Sequence, residues 1–171
     1  MSEADEIVLC DSTLVEEVSA EPGGEAISRC MACGTCSAGC PVREVVPEFD
    51  PRAIVRLVLL GAEHEVFDGD VLWLCSGCNT CEERCPQGVN LPALIRAIRN
   101  VGVRRGHVPA VMLAQLDLLK QYGRLLEVEE HNSRRAKLGL PPLRNPGDDY
   151  RVLLERAGFP PPGEASGEED R

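Results

Sequence analysis

The most informative segment of this chain is Cys30-Met31-Ala32-Cys33-Gly34-Thr35-Cys36-Ser37-Ala38-Gly39-Cys40-Pro41. Its four cysteines follow one another at intervals of three, three and four residues, and a proline follows the last of them. The pattern returns 45 residues later in Cys75-Ser76-Gly77-Cys78-Asn79-Thr80-Cys81-Glu82-Glu83-Arg84-Cys85-Pro86. The chain therefore contains a duplicated cysteine segment. We call residues 30–41 the first loop and residues 75–86 the second loop.

The shared pattern, C-x2-C-x2-C-x3-C-P, is the bacterial ferredoxin signature for a 4Fe-4S cluster. A cubane cluster has four iron corners, and a short loop can reach three of them when a thiolate arrives at every third residue. The fourth ligand must then come from elsewhere in the chain. Two copies of the pattern predict two 4Fe-4S clusters.

The fourth cysteine of each run serves the other cluster in ferredoxins with two clusters. On this rule we expect the ligands of the first cluster to be Cys30, Cys33, Cys36 and Cys85. We expect the ligands of the second cluster to be Cys75, Cys78, Cys81 and Cys40. Because each cluster would then join both loops, neither half should fold alone, and loss of the clusters should unfold both.

Small and rigid residues within the loops fit the same interpretation. We expect Gly34, Gly39 and Gly77 where the backbone comes too close to inorganic sulfur for a Cβ atom. Pro41 and Pro86 fix the φ angle and turn the chain away after the last cysteine.

Other uses of the cysteines are weaker hypotheses. A structural zinc site takes four ligands, usually as two separated pairs, which four thiols crowded into each loop do not match. Disulfides are disfavoured because the acidic N-terminus does not resemble a secretory signal and cytosolic thiols stay reduced. A thioredoxin-type site would need a βαβ context. We interpret Cys10, the ninth cysteine, as a plain thiol, and we assign no ligand role to His64, His107 or His131.

Composition narrows the class of protein. The chain has 171 residues, a net charge of -10 and 4% aromatic residues. No apolar run approaches the roughly 20 residues of a membrane-spanning helix, so we expect a cytoplasmic protein without a membrane span. Residues 101–139 are the only basic segment, and they lack the aromatic platforms of a nucleic-acid site. We favour a solvated helical face there over a docking patch for an acidic partner.

Helix signals fill the remainder of the chain. Asp50 predicts a cap, Pro51 a first helical position and Gly61 an end, and Asn90 predicts a second cap before a helix from about Leu91. A further helix is expected from Pro109 to about Glu130. Gly139 should end the next helix, and residues 148–157 should form a short amphipathic one. Residues 160–171 are predicted to be disordered because they are mostly Pro, Gly, Glu and Asp.

The arrangement of these signals favours a helical module built by an internal duplication of about 45 residues. Trp73, the only tryptophan, is predicted to wall a cluster rather than to relay electrons. We divide the chain into an N-terminal extension (1–26), a two-cluster domain (27–103), a helical extension for partner docking (104–139), and a short helix with a disordered acidic tail (140–171).

Residues 12–139 resemble the C subunit of heterodisulfide reductase, an electron-transfer protein with an α-helical ferredoxin fold. Four segments carry the resemblance: Cys30 to Pro41, Pro51 to Gly61, Val71 to Cys75, and Cys81 to Asn90. The fold class implied is mainly α, an α-helical ferredoxin-like domain with two 4Fe-4S clusters and a C-terminal helical extension. The eight loop cysteines match the cluster ligands of that family.

The resemblance also implies partners. A flavin-containing subunit would supply electrons, and a separate catalytic subunit with cysteine-rich CCG motifs would cleave a disulfide. The resemblance allows a hydrogenase or a formate dehydrogenase to connect through the flavin-containing subunit. This chain contains no CCG motif, no nucleotide-binding glycine pattern and no nucleophile-base arrangement, so we expect a non-catalytic electron-transfer subunit.

Two other functions remain open from the sequence. The chain could be a free-standing soluble ferredoxin, or the iron-sulfur subunit of another oxidoreductase of the glycolate, lactate or glycerol-3-phosphate type. A zinc-stapled scaffold without a redox role is the third hypothesis, and it predicts a colourless protein.

Overall fold

The computed structural model describes residues 10–126 and 128–158, and these residues form helices joined by loops without a β-strand. The predicted mainly α fold is thereby confirmed. The predicted disorder of residues 160–171 lies outside the described residues. The α-helices are α1 Ser12–Ala20, α2 Thr35–Ala38, α3 Pro41–Val45, α4 Pro51–Leu60, α5 Glu63–Phe67, α6 Thr80–Glu83, α7 Leu91–Arg104, α8 Ala110–Tyr122, α9 Glu129–Lys137 and α10 Gly147–Arg156.

Two compact units divide the chain between His107 and Val108. The first unit holds both cysteine loops, and α1 packs in it against α4 and α7. Residues 12–20 are therefore part of the unit that carries the loops. Two short 3-10 helices, Ile27–Arg29 and Val71–Leu74, lead directly into the first cysteine of each loop.

Helix α4 begins and ends where its sequence predicts. The side chain of Asp50 accepts a hydrogen bond from the Ala53 backbone N–H at 3.1 Å, which satisfies a free donor of the first turn. Gly61 ends the helix with a φ of 69°. A Cβ atom on Gly61 would lie 2.3 Å from the Asp11 carbonyl oxygen. Both the positive φ angle and this close contact therefore exclude larger residues here.

Helix α7 is the centre of the hydrophobic core. Asn90 caps it by accepting from the Ala93 backbone N–H at 2.9 Å, as the sequence predicts. Leu94, Ile98 and Val101 lie on one face and are fully buried. Complete burial of such a side chain stabilises the folded state by about 1.5–3 kcal/mol, so this face anchors the first unit. The core continues into α1 and α4 through Leu14, Val18, Val55 and Val58.

Arg105 ties the end of α7 to the start of α1 and to α5. Its guanidinium contacts Asp11 at 2.8 Å, Glu17 at 2.9 Å and Glu63 at 2.5 Å. Hydrogen bonds from Thr13 and Arg105 lower the pKa of Asp11 to about 2. A single cation therefore holds three carboxylates, two from α1 and its cap and one from α5.

The second unit contains α8, α9 and α10, with α10 packed against α8. Helix α8 ends at Tyr122, so the prediction of one helix to about Glu130 is wrong. Gly123 follows with a φ of 62°, the left-handed conformation that ends a helix. The apolar residues Leu125 and Leu126 continued the helical spacing beyond this glycine, but in the structure they are exposed.

None of the helices within the two described ranges is long and apolar enough to cross a membrane.

Candidate metal centres

The two cysteine loops share one backbone conformation although their residues differ. In the first loop Ala32 and Gly34 have φ angles of 54° and 84°, and in the second loop Gly77 and Asn79 have 66° and 62°. Each pair flanks the second cysteine of its loop. Both loops therefore need left-handed residues at the same two positions, and glycine serves at one of them in each loop.

The structure gives the loop glycines roles other than the predicted close approach to inorganic sulfur. Gly34 and Gly77 supply positive φ angles. Gly39 has a φ of -108°, and a Cβ atom there would lie 2.5 Å from Nη1 of Arg84 in the second loop. Its small size makes room for an arginine of the other loop.

A first cavity brings together the thiols of Cys30, Cys33, Cys36 and Cys85. It holds about 340 Å³ of space between protein atoms, part of it open to solvent. Three of these thiols come from the first loop and one from the second. The remaining lining includes Met31, Arg52 and Leu91.

A second cavity, with about 350 Å³ of space between protein atoms that is also partly open to solvent, brings together the thiols of Cys75, Cys78, Cys81 and Cys40. Here three thiols come from the second loop and one from the first. Phe49, Leu91 and Ile95 supply apolar walls. The two cavities thus have nearly equal size and the same three-plus-one composition.

The donor sets of both cavities fit a 4Fe-4S cluster. Cysteine thiolates are the usual ligands of this group, and each cavity is lined by four of them. Within residues 10–126 and 128–158, no group of three or more His, Cys, Asp or Glu side chains could hold a single metal ion. A cubane has a separate iron atom for each thiolate, so its ligands do not have to converge on one point.

Short helices position the third and fourth cysteines. Helices α2 and α6 carry Cys36 and Cys81, and the two helices pack against each other. Cys40 and Cys85 are the second residues after the ends of these helices. Packing of α2 on α6 therefore brings the end of each loop close to the first three cysteines of the other loop. For this reason Cys85 lines the first cavity and Cys40 lines the second.

Threonine hydroxyls contact the second thiol of each loop. Cys33 Sγ lies 3.4 Å from Thr35 Oγ1, and Cys78 Sγ lies 3.5 Å from Thr80 Oγ1. These contacts lower the pKa of both thiols. Burial acts in the opposite direction on the third thiol and raises the pKa of Cys81 to about 11, with the neighbouring Cys75 adding to the effect.

In each loop, the residue after the third cysteine forms a hydrogen bond with the residue that caps a long helix, α4 in the first half and α7 in the second. Ser37 donates a hydrogen bond to the capping carboxylate of Asp50 and accepts one from the Arg52 backbone N–H at 3.0 Å. In the second half, the capping side chain of Asn90 donates to Glu82 at 2.6 Å. The first loop is thus fixed to the N-terminus of α4, and the second loop to that of α7. Sequence reasoning identified the two caps but missed their partners, which share one position in the repeat.

Leu91 was also missed by sequence reasoning. It is 3% exposed and lines both cavities, because the first turn of α7 passes between them. The only local signal was its place next to the capping residue Asn90. Its side chain is an apolar wall common to the two sites.

Three other residues singled out in the sequence, Trp73, Cys10 and His107, are not among those that line the two cavities. Trp73 packs against the hydrophobic core beside the second loop, and it is not among the residues that line either cavity. Cys10 is exposed and lies at the N-terminal end of the described chain. His107 stacks on Phe67 with 4.9 Å between ring centroids, which gives it a packing role.

Comparison with known proteins identifies the family. A family model described as a 4Fe-4S dicluster domain matches residues 26–89, which include both loops. The chain is 38% identical over 145 residues to the iron-sulfur C subunit of the CoB-CoM heterodisulfide reductase of Methanopyrus kandleri, covering 84% of this chain and 75% of that protein.

Two further relatives agree with this match. The C subunit of the ferredoxin:CoB-CoM heterodisulfide reductase of Methanosarcina mazei is 32% identical, with 77% of this chain and 81% of the relative covered. The iron-sulfur C subunit 2 of the CoB-CoM heterodisulfide reductase of Methanocaldococcus jannaschii is also 32% identical, with 68% and 62% covered. The resemblance predicted from the loops is confirmed: the chain belongs to the family of heterodisulfide reductase C subunits and has a domain for two 4Fe-4S clusters.

Proposed function

We propose that this chain is the electron-transfer subunit of a heterodisulfide reductase-type complex, with its two clusters bound crosswise by the two loops. The first cluster is bound by Cys30, Cys33, Cys36 and Cys85, and the second by Cys75, Cys78, Cys81 and Cys40. The observation that carries the proposal is the pair of cavities, each lined by three thiols of one loop and one of the other.

The 4Fe-4S cluster supplies the ability to take up and release single electrons. The protein residues bind and insulate this group. Leu91 keeps the space between the two cavities apolar, and the core helices α4 and α7 carry the walls. A rigid apolar setting limits solvent access, which is one of the levers by which a protein sets cluster potentials.

Each cavity also has an edge near the surface. Cys33 of the first loop and Cys78 of the second loop are exposed, whereas the third cysteines are half-buried. Two sites that share a buried wall and have separate exposed edges suit a relay, in which one partner delivers an electron and another removes it.

Catalysis then belongs to partner proteins. Eight of the nine cysteines line the two cavities, which leaves only Cys10 for thiol chemistry. The names of the relatives describe reductases of the CoB-CoM heterodisulfide. By analogy, a flavin-containing subunit delivers electrons here, with hydrogenase or formate dehydrogenase connected through it, and a separate CCG-type catalytic subunit in the cytoplasm reduces the disulfide.

Iron and sulfide analysis tests the metal content. Anaerobically purified protein should contain about eight iron and eight sulfide per chain, four of each for each cluster. Cys10→Ser is the matched control and should retain both values, whereas Cys36→Ser should lose iron. A wild-type protein with about half of this iron would contradict the two-cluster proposal.

Purification from native extract tests the partners. We expect the chain to co-elute in gel filtration with a flavoprotein and with a protein that contains CCG motifs, identified by mass spectrometry. A loaded chain that elutes at the size of a monomer, with full iron content, would instead support a free ferredoxin.

A further inference from the structure

We propose that Arg99, through its fixed positive charge, raises the reduction potential of the second cluster. The proposal rests on the proposed function, because it requires a cluster bound by Cys75. It goes beyond that function because it explains a difference in reduction potential between the two clusters. The duplicated loops alone would make the two sites alike, and a single residue of α7 distinguishes them.

The guanidinium of Arg99 is hydrogen-bonded to the backbone that leads into the second loop. Its Nη2 donates to the Leu72 carbonyl at 3.0 Å and to the Cys75 carbonyl at 3.4 Å, and its Nε donates to the Leu72 carbonyl at 3.2 Å. A forked arginine held by two carbonyl groups has little freedom to move. The positive charge is thus fixed beside the first thiol of the second cavity.

Trp73 covers this cation. The Cζ atom of Arg99 lies 5.3 Å from the centroid of the indole ring, within the range of a cation-π interaction. The arginine is itself half-buried, so water screens its charge less than that of an exposed side chain. This contact gives Trp73 a role that its sequence position did not indicate.

The charge of Arg99 is not neutralised locally. Among the ion pairs of the described residues, none involves Arg99. Its partners are carbonyl oxygens and an aromatic face, and arginine stays protonated in proteins. The full positive charge therefore acts on its surroundings.

Reduction adds one negative charge to a cluster. A fixed positive charge nearby stabilises the reduced form more than the oxidised form, because the attraction grows with the charge of the cluster. Net charge near the site is one of the factors that set cluster potentials. Arg99 should accordingly make the second cluster easier to reduce.

The first half of the molecule has no equivalent of this arrangement. Counted from the capping residues Asp50 and Asn90, the position of Arg99 in α7 corresponds to Leu59 in α4. Arg52 does line the first cavity, but its side chain is exposed. The repeat thus places an aliphatic residue in one half where the other half has a half-buried cation.

A redox titration followed by EPR tests the proposal in the loaded protein. Arg99→Met should lower the midpoint of the signal that Cys78→Ser also alters, by about tenfold in the reduction equilibrium constant, or 59 mV for one electron. The other midpoint should move much less. Arg99→Lys, which retains the charge, should restore most of the wild-type value.

Arg96→Met is the matched control, because Arg96 lies on the same helix and is exposed. It should change neither midpoint by more than about threefold in the equilibrium constant, since exposed charges are screened. Arg99→Gln, a second neutral variant that keeps donors for the carbonyl groups, covers the case in which Arg99→Met does not fold. If either neutral variant has about eight iron and unchanged midpoints, the inference on Arg99 is wrong. If wild-type protein lacks the iron, the proposed function itself is wrong.

Discussion

The two halves of the first unit have the same loops but different helices after them. Both loops place left-handed residues on either side of the second cysteine. In both, the residue after the third cysteine bonds to the N-terminus of a long helix, α4 in the first half and α7 in the second. In contrast, α4 ends after 10 residues, whereas α7 continues for 14, carries Arg99 and is followed directly by Arg105. The two loops thus share the backbone conformation that places the cysteines. The residues that make the two sites different lie in the helices.

This comparison predicts that the two halves depend on each other. Removal of iron with a chelator under anaerobic conditions should expose both α4 and α7, because each cavity takes thiols from both loops. Hydrogen exchange measured by mass spectrometry should show protection lost from both helices together. Protection lost from one helix alone would mean that each half holds its own cluster.

Arg105 is the residue that caps the C-terminal end of α7, beyond the extra turn that α4 lacks. Arg105→Met should clearly lower the thermal unfolding midpoint, because it leaves three carboxylates close together without their cation. Arg104→Met is the matched control, because Arg104 is more exposed and pairs with a single carboxylate. An equal decrease in the two variants would contradict the role of Arg105.

The same cluster of charges has a defined pH dependence. The pKa of Asp11 falls from 3.8 to about 2 in the folded chain, so its stabilisation is complete above pH 3.8 and is lost as the pH decreases towards 2. The difference in unfolding midpoint between wild type and Asp11→Asn should therefore stay constant from about pH 5 to 8. A difference that changes steadily within this range would assign the stabilisation to another group.

The two caps should differ in strength although they occupy equivalent positions. Asn90→Ala should lower the free energy of unfolding by about 1 kcal/mol, the usual effect of losing a cap. Asp50→Ala should have about twice this effect, because it leaves the buried Ser37 hydroxyl and Arg43 without their partner, whereas Glu82, the second partner of Asn90, is only partly buried. Asp50→Asn, which retains an acceptor, is the control, and chemical denaturation of the loaded protein is the measurement.

The left-handed positions should give the smallest effects. Ala32→Gly should stabilise the protein by up to about 1 kcal/mol, because alanine at a φ of 54° is strained and glycine is not. Asn79→Gly should have a smaller effect, since asparagine tolerates this conformation well. Equal effects at the two positions would show that strain does not distinguish the loops.

Local signals in the sequence explain which predictions are confirmed. Asp50, Pro51 and Gly61 act through hydrogen bonds and dihedral angles within a few residues, so the bounds of α4 follow from them. The end of α8 was missed because apolar spacing continued past Gly123, and the left-handed glycine took precedence over that spacing. Leu91 and Arg99 act on residues that are distant in sequence. The capping residue Asn90 indicates where the helix begins, but no local pattern indicates that Leu91 lines both cavities or that Arg99 contacts the start of the second loop.

The exchange of the fourth cysteine is tested most directly by EPR of single-cysteine variants in the reduced, loaded protein. Cys33→Ser defines the signal of the first cluster, and Cys78→Ser defines that of the second. We predict that Cys85→Ser alters the same signal as Cys33→Ser, although Cys85 belongs to the second loop. If Cys85→Ser alters the signal that Cys78→Ser alters and leaves the other intact, each loop binds its own cluster and the crosswise arrangement is wrong.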